Sequence, residues 1–486
     1  MNDSEASHSA ETGLSRYPAS LQRALHVFGA VMIVVSAVTP AASVWVIAPV
    51  VMATQGSGAF LVFVAAAIIG VGMSFSWSEL GAIYPIAGGD YSIIARIFGA
   101  APGFLMFALY LTLAIFIPSA IGLGAGQYVQ VVWPHVNANL VGALIIAGAT
   151  LVAILHIRTN AVITGVFLFI ELAAISTVIV LAIFFSKTGL HWGELIHPHV
   201  FTESGQRTAA TFSLLASGIA VGLFSYNGYH WVLFLSEEVH LGGARRKLVT
   251  AIFISFVITI AAELLPITFA ILGAPNLAAF QHAPSPMAYI VSNLGTPTLN
   301  KIVSLGIVLA VFNAVLACII SLSRILYSSG RDRGWPGPVS GWLSSTLPRV
   351  HTPWVAILVI GAIGTVLTAT SKVAALVTFT GVLLALDYGA IAVAAIASRF
   401  IQKNVERPYK MPLWPLWPLI GIAGTAYTLT LQTAHDLIIC GIIFGVALIY
   451  YYGYLRPHSA TNWRMLTAVE EIPEEPPEAE LSKEIV

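Results

Sequence analysis

The chain has 486 residues, 57% of them hydrophobic and 9% charged, with a mean hydropathy of +0.86. Soluble domains carry about 25% charged residues, so the composition leaves a polytopic membrane protein. Lys plus Arg balances Asp plus Glu at 22 each, and a net charge of zero excludes the basic surface that nucleic acid requires.

The first 22 residues are polar and hold no apolar signal-peptide core, so 1–22 reads as a disordered cytoplasmic tail and targeting falls to the spans. A bilayer is crossed by roughly 20 apolar residues. Such runs lie at 25–54, 59–83, 102–132, 139–156, 161–185, 209–236, 249–273, 299–327, 354–370, 374–397, 415–434 and 436–455. Twelve crossings place both termini on one side. With that side cytoplasmic, the inner loops hold thirteen Lys and Arg residues against four outside, Lys187, Arg207, Lys301 and Lys372. The positive-inside rule then orients the chain. The stretch 457–486, with Glu470, Glu471, Pro473, Glu474, Glu475, Pro476 and Pro477, reads as an acidic disordered tail.

Within the first run, Ser36-Ala37-Val38-Thr39-Pro40-Ala41-Ala42-Ser43 sets small, polar and helix-breaking residues mid-span. Proline removes a backbone bond to the preceding turn. The outer loop His191–Thr208 carries His191, His197 and His199, which read as a solvated loop rather than a surface metal site. The sixth run contains Leu223-Phe224-Ser225-Tyr226-Asn227-Gly228-Tyr229-His230. Irregular backbone survives at membrane depth only where protein or a water-filled cavity surrounds it. Each interruption opens a block of five spans, and interrupted segments at matching places in two halves point to a transport site at a repeat interface. Halves of five crossings are inverted relative to one another. The expected architecture is therefore all-α, with twelve transmembrane helices in a five-plus-five inverted repeat, discontinuous helices 1 and 6, and two peripheral helices. Its transport core is 23–397, with repeats at about 23–185 and 209–397, followed by a loop and the last two spans at 398–456.

The ionisable residues well inside spans are Glu171, His230, Glu263 and Asp387. A mid-bilayer charge costs at least ~3 kcal/mol, which makes each a functional candidate. Asp387 also suits a structural hydrogen bond to a neighbouring helix. Glu263 precedes Pro266 and is expected to bond backbone groups that the proline frees. Glu171 and His230 are the coupling candidates, being able to change protonation near neutral pH. Cys318 and Cys440 lie in apolar runs and read as buried thiols, since a disulfide framework or zinc site needs more cysteines, or histidines at ligand spacing.

Four further stretches carry a resemblance. Glu79-Leu80-Gly81 leads through Pro85 to Gly88-Gly89-Asp90-Tyr91; Ser236-Glu237-Glu238-Val239 follows span 6; Ser323-Arg324-Ile325-Leu326-Tyr327 leads through Gly330-Arg331-Asp332-Arg333 to His351-Thr352-Pro353; and Arg407-Pro408-Tyr409-Lys410-Met411-Pro412 precedes span 11. Together and in this order they resemble the amino acid–polyamine–organocation permeases over spans 1 to 11. The resemblance implies secondary transport of amino acids or related amines, with substrate held at the breaks in spans 1 and 6. The residues there are Thr39, Ala41, Ala42, Ser43, Phe224, Ser225, Tyr226, Asn227 and Gly228, with Phe224 matching the family's aromatic gate. A helix start at a break offers free N–H groups and partial positive charge to a carboxylate.

Three departures stand out. Ala41-Ala42-Ser43 replaces the family's glycine-rich break, His230 replaces an acid of span 6, and Glu171 replaces a span-5 lysine. The uncharged break residues point to a neutral amino acid of small to medium size, carried by proton coupling or exchange across the plasma membrane. A polyamine or other organic amine is the alternative. The expected coupling ion is H+ at Glu171, with Na+ as its alternative. No cofactor, metal or nucleic acid is expected; membrane lipid is, and a homodimer is allowed. A receptor or channel would not need two interrupted helices. An enzyme finds no metal motif, phosphate loop or nucleophile–base set.

Overall fold

The computed structural model describes residues 25–463 apart from 87, 156, 203–204 and 240–244, with 157–164 described by backbone alone. The tail expected at 1–22 and most of that expected at 457–486 lie outside the described residues. The described chain is helical apart from one short hairpin and a single parallel bridge between Leu25 and Val239. Lipid offers no hydrogen bonds, so an apolar run that crosses it must satisfy its own backbone as a helix.

Among the described residues, seven helical stretches are long and apolar enough to cross a membrane, and Ala138–Ala153 and Trp354–Thr370 are shorter apolar helices. The described residues open with α1 (Val27–Val38), an interruption, then α2 (Ala48–Gln55) and, past a 3-10 turn at Gly56–Gly58, α3 (Ala59–Ile83). Next come α4 (Gly89–Phe98), α5 (Ala100–Val132), α6 (Ala138–Ala153) and α7 (Ile157–Phe185). The run expected as span 6 is a short helix Phe212–Ser217, α8 (Ile219–Tyr226) and then turns. There follow α9 (Arg246–Gly273), α10 (Pro297–Arg331), α11 (Trp354–Thr370), α12 (Val373–Ile401), α13 (Leu416–Thr430) and α14 (Ala434–Tyr450).

Local signals place several starts. Asn137 accepts from Leu140 N at 3.2 Å ahead of α6, and Thr296 accepts from Leu299 N at 3.1 Å ahead of α10, where Pro297 needs no donor partner. Helices α5, α10 and α12 bury most of their side chains, and α1 and α8 pack among them. A β-carbon added at Gly381 would lie 2.8 Å from the Ala220 carbonyl carbon, so α12 approaches α8 at a distance only glycine permits. In α14 only Cys440 and Ala447 are buried, while Ile438, Ile442, Val446 and Ile449 are exposed. That helix is peripheral, and its apolar outer face suits lipid. Both cysteines are free and buried.

The loop with three histidines, expected on the outer side, contains a short hairpin. Strands β1 (His199–Phe201) and β2 (Arg207–Ala209) pair antiparallel. Glu194 accepts from Ser57 Oγ at 2.6 Å and pairs with Arg207 at 2.5 Å and His199 at 3.2 Å. A buried carboxylate recruits its own partners, and here it fastens the loop to the turn between α2 and α3.

Candidate functional site

The first interruption falls at Thr39, which has φ 57° and ψ 69°. A β-branched residue seldom occupies this left-handed region. Pro40 has no N–H and opens the next turn of helix, Pro40–Ala42, which runs into a π-helical turn at Ser43–Ile47. Ala41, Ala42 and Ser43 are therefore helical, and the break sits just before them. Thr39 Oγ1 accepts from Ala42 N at 3.1 Å, and Ser43 N donates to Thr39 O at 3.0 Å. Ala41 N donates to Glu171 Oε1 at 2.6 Å. The helix start expected to be open for a carboxylate is thus held by a carboxylate of this chain. Buried N–H groups must find acceptors, and a negative group at a helix start is favoured by the dipole.

The second interruption follows Tyr226. Asn227 is extended (φ −67°, ψ 145°) and Gly228 has φ 117°. Phe224, Ser225 and Tyr226 form the last turn of α8, so within the stretch Phe224 to Gly228 the break falls at Asn227 and Gly228. Beyond it, 3-10 turns at Trp231–Leu233 and Ser236–Glu238 replace a regular helix. The two breaks abut. Ser43 Oγ donates to Ser225 O at 2.8 Å, and a β-carbon added at Gly228 would lie 3.4 Å from Val38 Cα.

Glu263 joins this junction. Its Oε2 accepts from Ser225 Oγ at 2.7 Å, in place of the expected bond to backbone near Pro266, around which α9 stays helical. Among the described residues, Glu171 Oε2, Glu263 Oε1, Tyr226 OH and Asn227 Oδ1 are buried without a hydrogen-bond partner. Unsatisfied buried polar atoms are rare in folded proteins, and four of them lie at or beside this junction. Asn313 Nδ2 donates to Ser36 Oγ at 3.2 Å and Cys318 Sγ to Ala37 O at 3.2 Å, so α10 braces the end of α1.

Glu171 and His230, paired as candidates in the sequence, do not meet. His230 stacks on Trp77 (ring centroids 3.8 Å apart) and its Nε2 lies 3.0 Å from Tyr110 OH. Around Tyr110 also stand Asp387, realising its expected bond to a neighbouring helix, and Asp90. One ligating atom from each of Asp90, His230 and Asp387 lies within 4.8 Å of the others. Sequence reasoning missed Asp90 because its motif reads as a cytoplasmic loop. The chain instead folds Asp90, in the first turn of α4, into the protein interior.

The other motif residues are ionic fasteners. Glu79 pairs with Arg399 at 2.6 Å and Arg407 at 3.0 Å, and accepts from Met411 N at 2.7 Å. Glu237 meets Arg331 at 2.8 Å, Glu238 meets Arg324 at 3.0 Å, and Tyr91 OH reaches Asp332 at 2.7 Å. Residues 25–467 match the model of a family described as amino acid permease. The chain belongs to the amino acid permease family. The permease is 28% identical over 383 residues to an uncharacterised transporter of Mycobacterium tuberculosis, covering 78% of this chain and 80% of that one. It is 25% identical over 426 residues to the large neutral amino acids transporter small subunit 2 of Mus musculus, covering 82% and 75%. With the mouse b(0,+)-type amino acid transporter 1 it shares 23% over 424 residues, covering 85% and 82%. The permease is a multi-pass membrane protein of a transporter family, not of an enzyme family.

Proposed function

We propose that this permease is a secondary active transporter of neutral amino acids in the plasma membrane, working by alternating access with both termini cytoplasmic. Ten of twelve crossings, in inverted repeats at about 23–185 and 209–397, form the transport core, and α13 and α14 stand outside it. Substrate binds where the breaks abut, against Thr39, Ala41, Ala42, Ser43, Phe224, Ser225, Tyr226, Asn227 and Gly228, with Phe224 covering it. The uncharged side chains of these residues and the name of the mouse neutral amino acid relative support the substrate class.

The observation that carries this reading is the 2.6 Å bond from Ala41 N to Glu171. A substrate carboxylate and the Glu171 carboxylate compete for the same helix start. Protonating Glu171 weakens it as an acceptor and frees Ala41 N, so a proton enters with the substrate. Sodium at a carboxylate among hydroxyls and carbonyls is the second coupling reading. An amine substrate is the second substrate reading, favoured because Glu171 and Glu263 both adjoin the breaks.

The test is uptake into proteoliposomes of radiolabelled L-alanine, L-leucine, L-glutamine, L-lysine and putrescine, under imposed pH or sodium gradients. Neutral amino acids are expected to enter in response to an inward proton gradient. Glu171→Gln is expected to keep exchange and lose that response. Uptake of lysine or putrescine alone overturns the substrate class. A response to sodium alone overturns the proton, and a fully pH-driven Glu171→Gln protein overturns the residue.

A further inference from the structure

Tyr110 OH lies 2.6 Å from Asp90 Oδ2, 2.9 Å from Asp387 Oδ2 and 3.0 Å from His230 Nε2. A tyrosine hydroxyl has one hydrogen to give and two lone pairs to accept with. It can serve one of its three neighbours as donor, and the other two must donate to it. His230 does so when Nε2 carries a hydrogen. The remaining donor can only be a carboxyl group that has kept its proton. Asp90 already accepts from Trp77 Nε1, 3.0 Å from each of its oxygens, and so is suited to be the ionised member. Among the described residues Asp387 has no side-chain hydrogen-bond partner but Tyr110, and its Oδ1 is buried without a partner, as is His230 Nδ1.

We propose that Asp90 and Asp387 share one proton across Tyr110 and His230, and that this proton latches the segment following the second helix break onto α3, α4, α5 and α12. His230 is the only member of the cluster on that segment, two residues beyond Gly228, and it stacks on Trp77 of α3. Among the described residues, the other titratable side chains facing the cluster are Tyr229 and Tyr388, each edge-on to Trp77. Among the described residues no Lys or Arg pairs with Asp90 or Asp387; the sole ion-pair contact is His230 with Asp90 at 3.5 Å. When the proton leaves, two carboxylates face one hydroxyl in a site closed to water, and two such charges cannot both be held there. The segment then loosens. The latch is separate from the Ala41–Glu171 contact and rests on the transporter reading only for its use in the cycle.

Hydrogen–deuterium exchange of the purified full chain, corrected for the intrinsic pH dependence of amide exchange, reads the latch without transport. Amides of residues 229–236 are expected to be protected at acid pH and to lose protection as pH rises. Asp387→Asn, whose amide can donate to Tyr110 permanently, is expected to stay protected throughout. Protection in wild type that ignores pH overturns the latch, as does an Asp387→Asn protein that titrates like wild type. Protection that EDTA removes and zinc restores shows a metal site and also overturns it. Should Asp387→Asn fail to fold, infrared difference spectra of Glu171→Gln/Glu263→Gln, where the cluster is intact, decide. A protonated-carboxyl band that vanishes with rising pH supports the shared proton, and no such band overturns it.

Discussion

Arg324 Nη2 and Nε each lie 3.0 Å from a different oxygen of Glu238, and the two side chains are 1% and 2% exposed. Removing one partner of such a pair strands a buried charge at a cost of about 3–5 kcal/mol. Arg324→Ala is expected to lower the thermal stability of the purified protein by that order. Replacing both, as Arg324→Met with Glu238→Leu, should be milder than either single change, since no unpaired charge then remains. Arg331 and Glu237 are 17% and 16% exposed, so Arg331→Ala should cost less than Arg324→Ala. A thermal-melt series over these variants checks the order. Glu171 belongs to the same scale: its bond to Ala41 N accounts for one oxygen, and among the described residues the other is buried without a hydrogen-bond partner.

The two breaks are built by different local means. Thr39 sits in a left-handed conformation with its hydroxyl on Ala42 N. Asparagine tolerates that conformation better than other residues with a side chain and can also cap, so Thr39→Asn should preserve uptake. Thr39→Val keeps the shape but loses the cap, about 1 kcal/mol, and should impair it. At Gly228 the positive φ excludes an ordinary side chain, and an added β-carbon would press on Val38 Cγ2 at 3.2 Å. Strain of about 1–3 kcal/mol is expected for Gly228→Ala. Comparing uptake with the melting temperature for these variants tells a damaged junction from a damaged fold: transport should fall more than stability.

Over the whole molecule, the asymmetry of basic residues predicts the orientation of the spans. A membrane-impermeant maleimide applied to intact cells should label a cysteine placed at Thr188 and not one placed at Lys403. Both native cysteines are buried, which keeps the background low. The reverse pattern would invert the protein and remove the cytoplasmic assignment of both termini. The ionic fasteners Glu79–Arg399, Glu237–Arg331 and Glu238–Arg324 all join residues expected on that same side.

The membrane class, the helices of the long apolar runs and the neighbourhood of both breaks were legible in the sequence, whereas α4 was not. Each is decided within a turn or a span: apolar length makes a helix in lipid, Pro40 denies a donor, and Gly228 permits a positive φ. The four motifs were legible as a family pattern, though not as ion pairs. Within the stretch Val38 to Ser43, the exact hinge at Thr39 needed the backbone, because alanine and serine accept helical geometry once proline has started it. The partners of the buried carboxyls came only from tertiary structure. Glu171 meets Ala41 across 130 positions and Asp387 meets Tyr110 across 277. An acid in an apolar run announces that it must be satisfied, but the atom that satisfies it is chosen by which helices pack side by side.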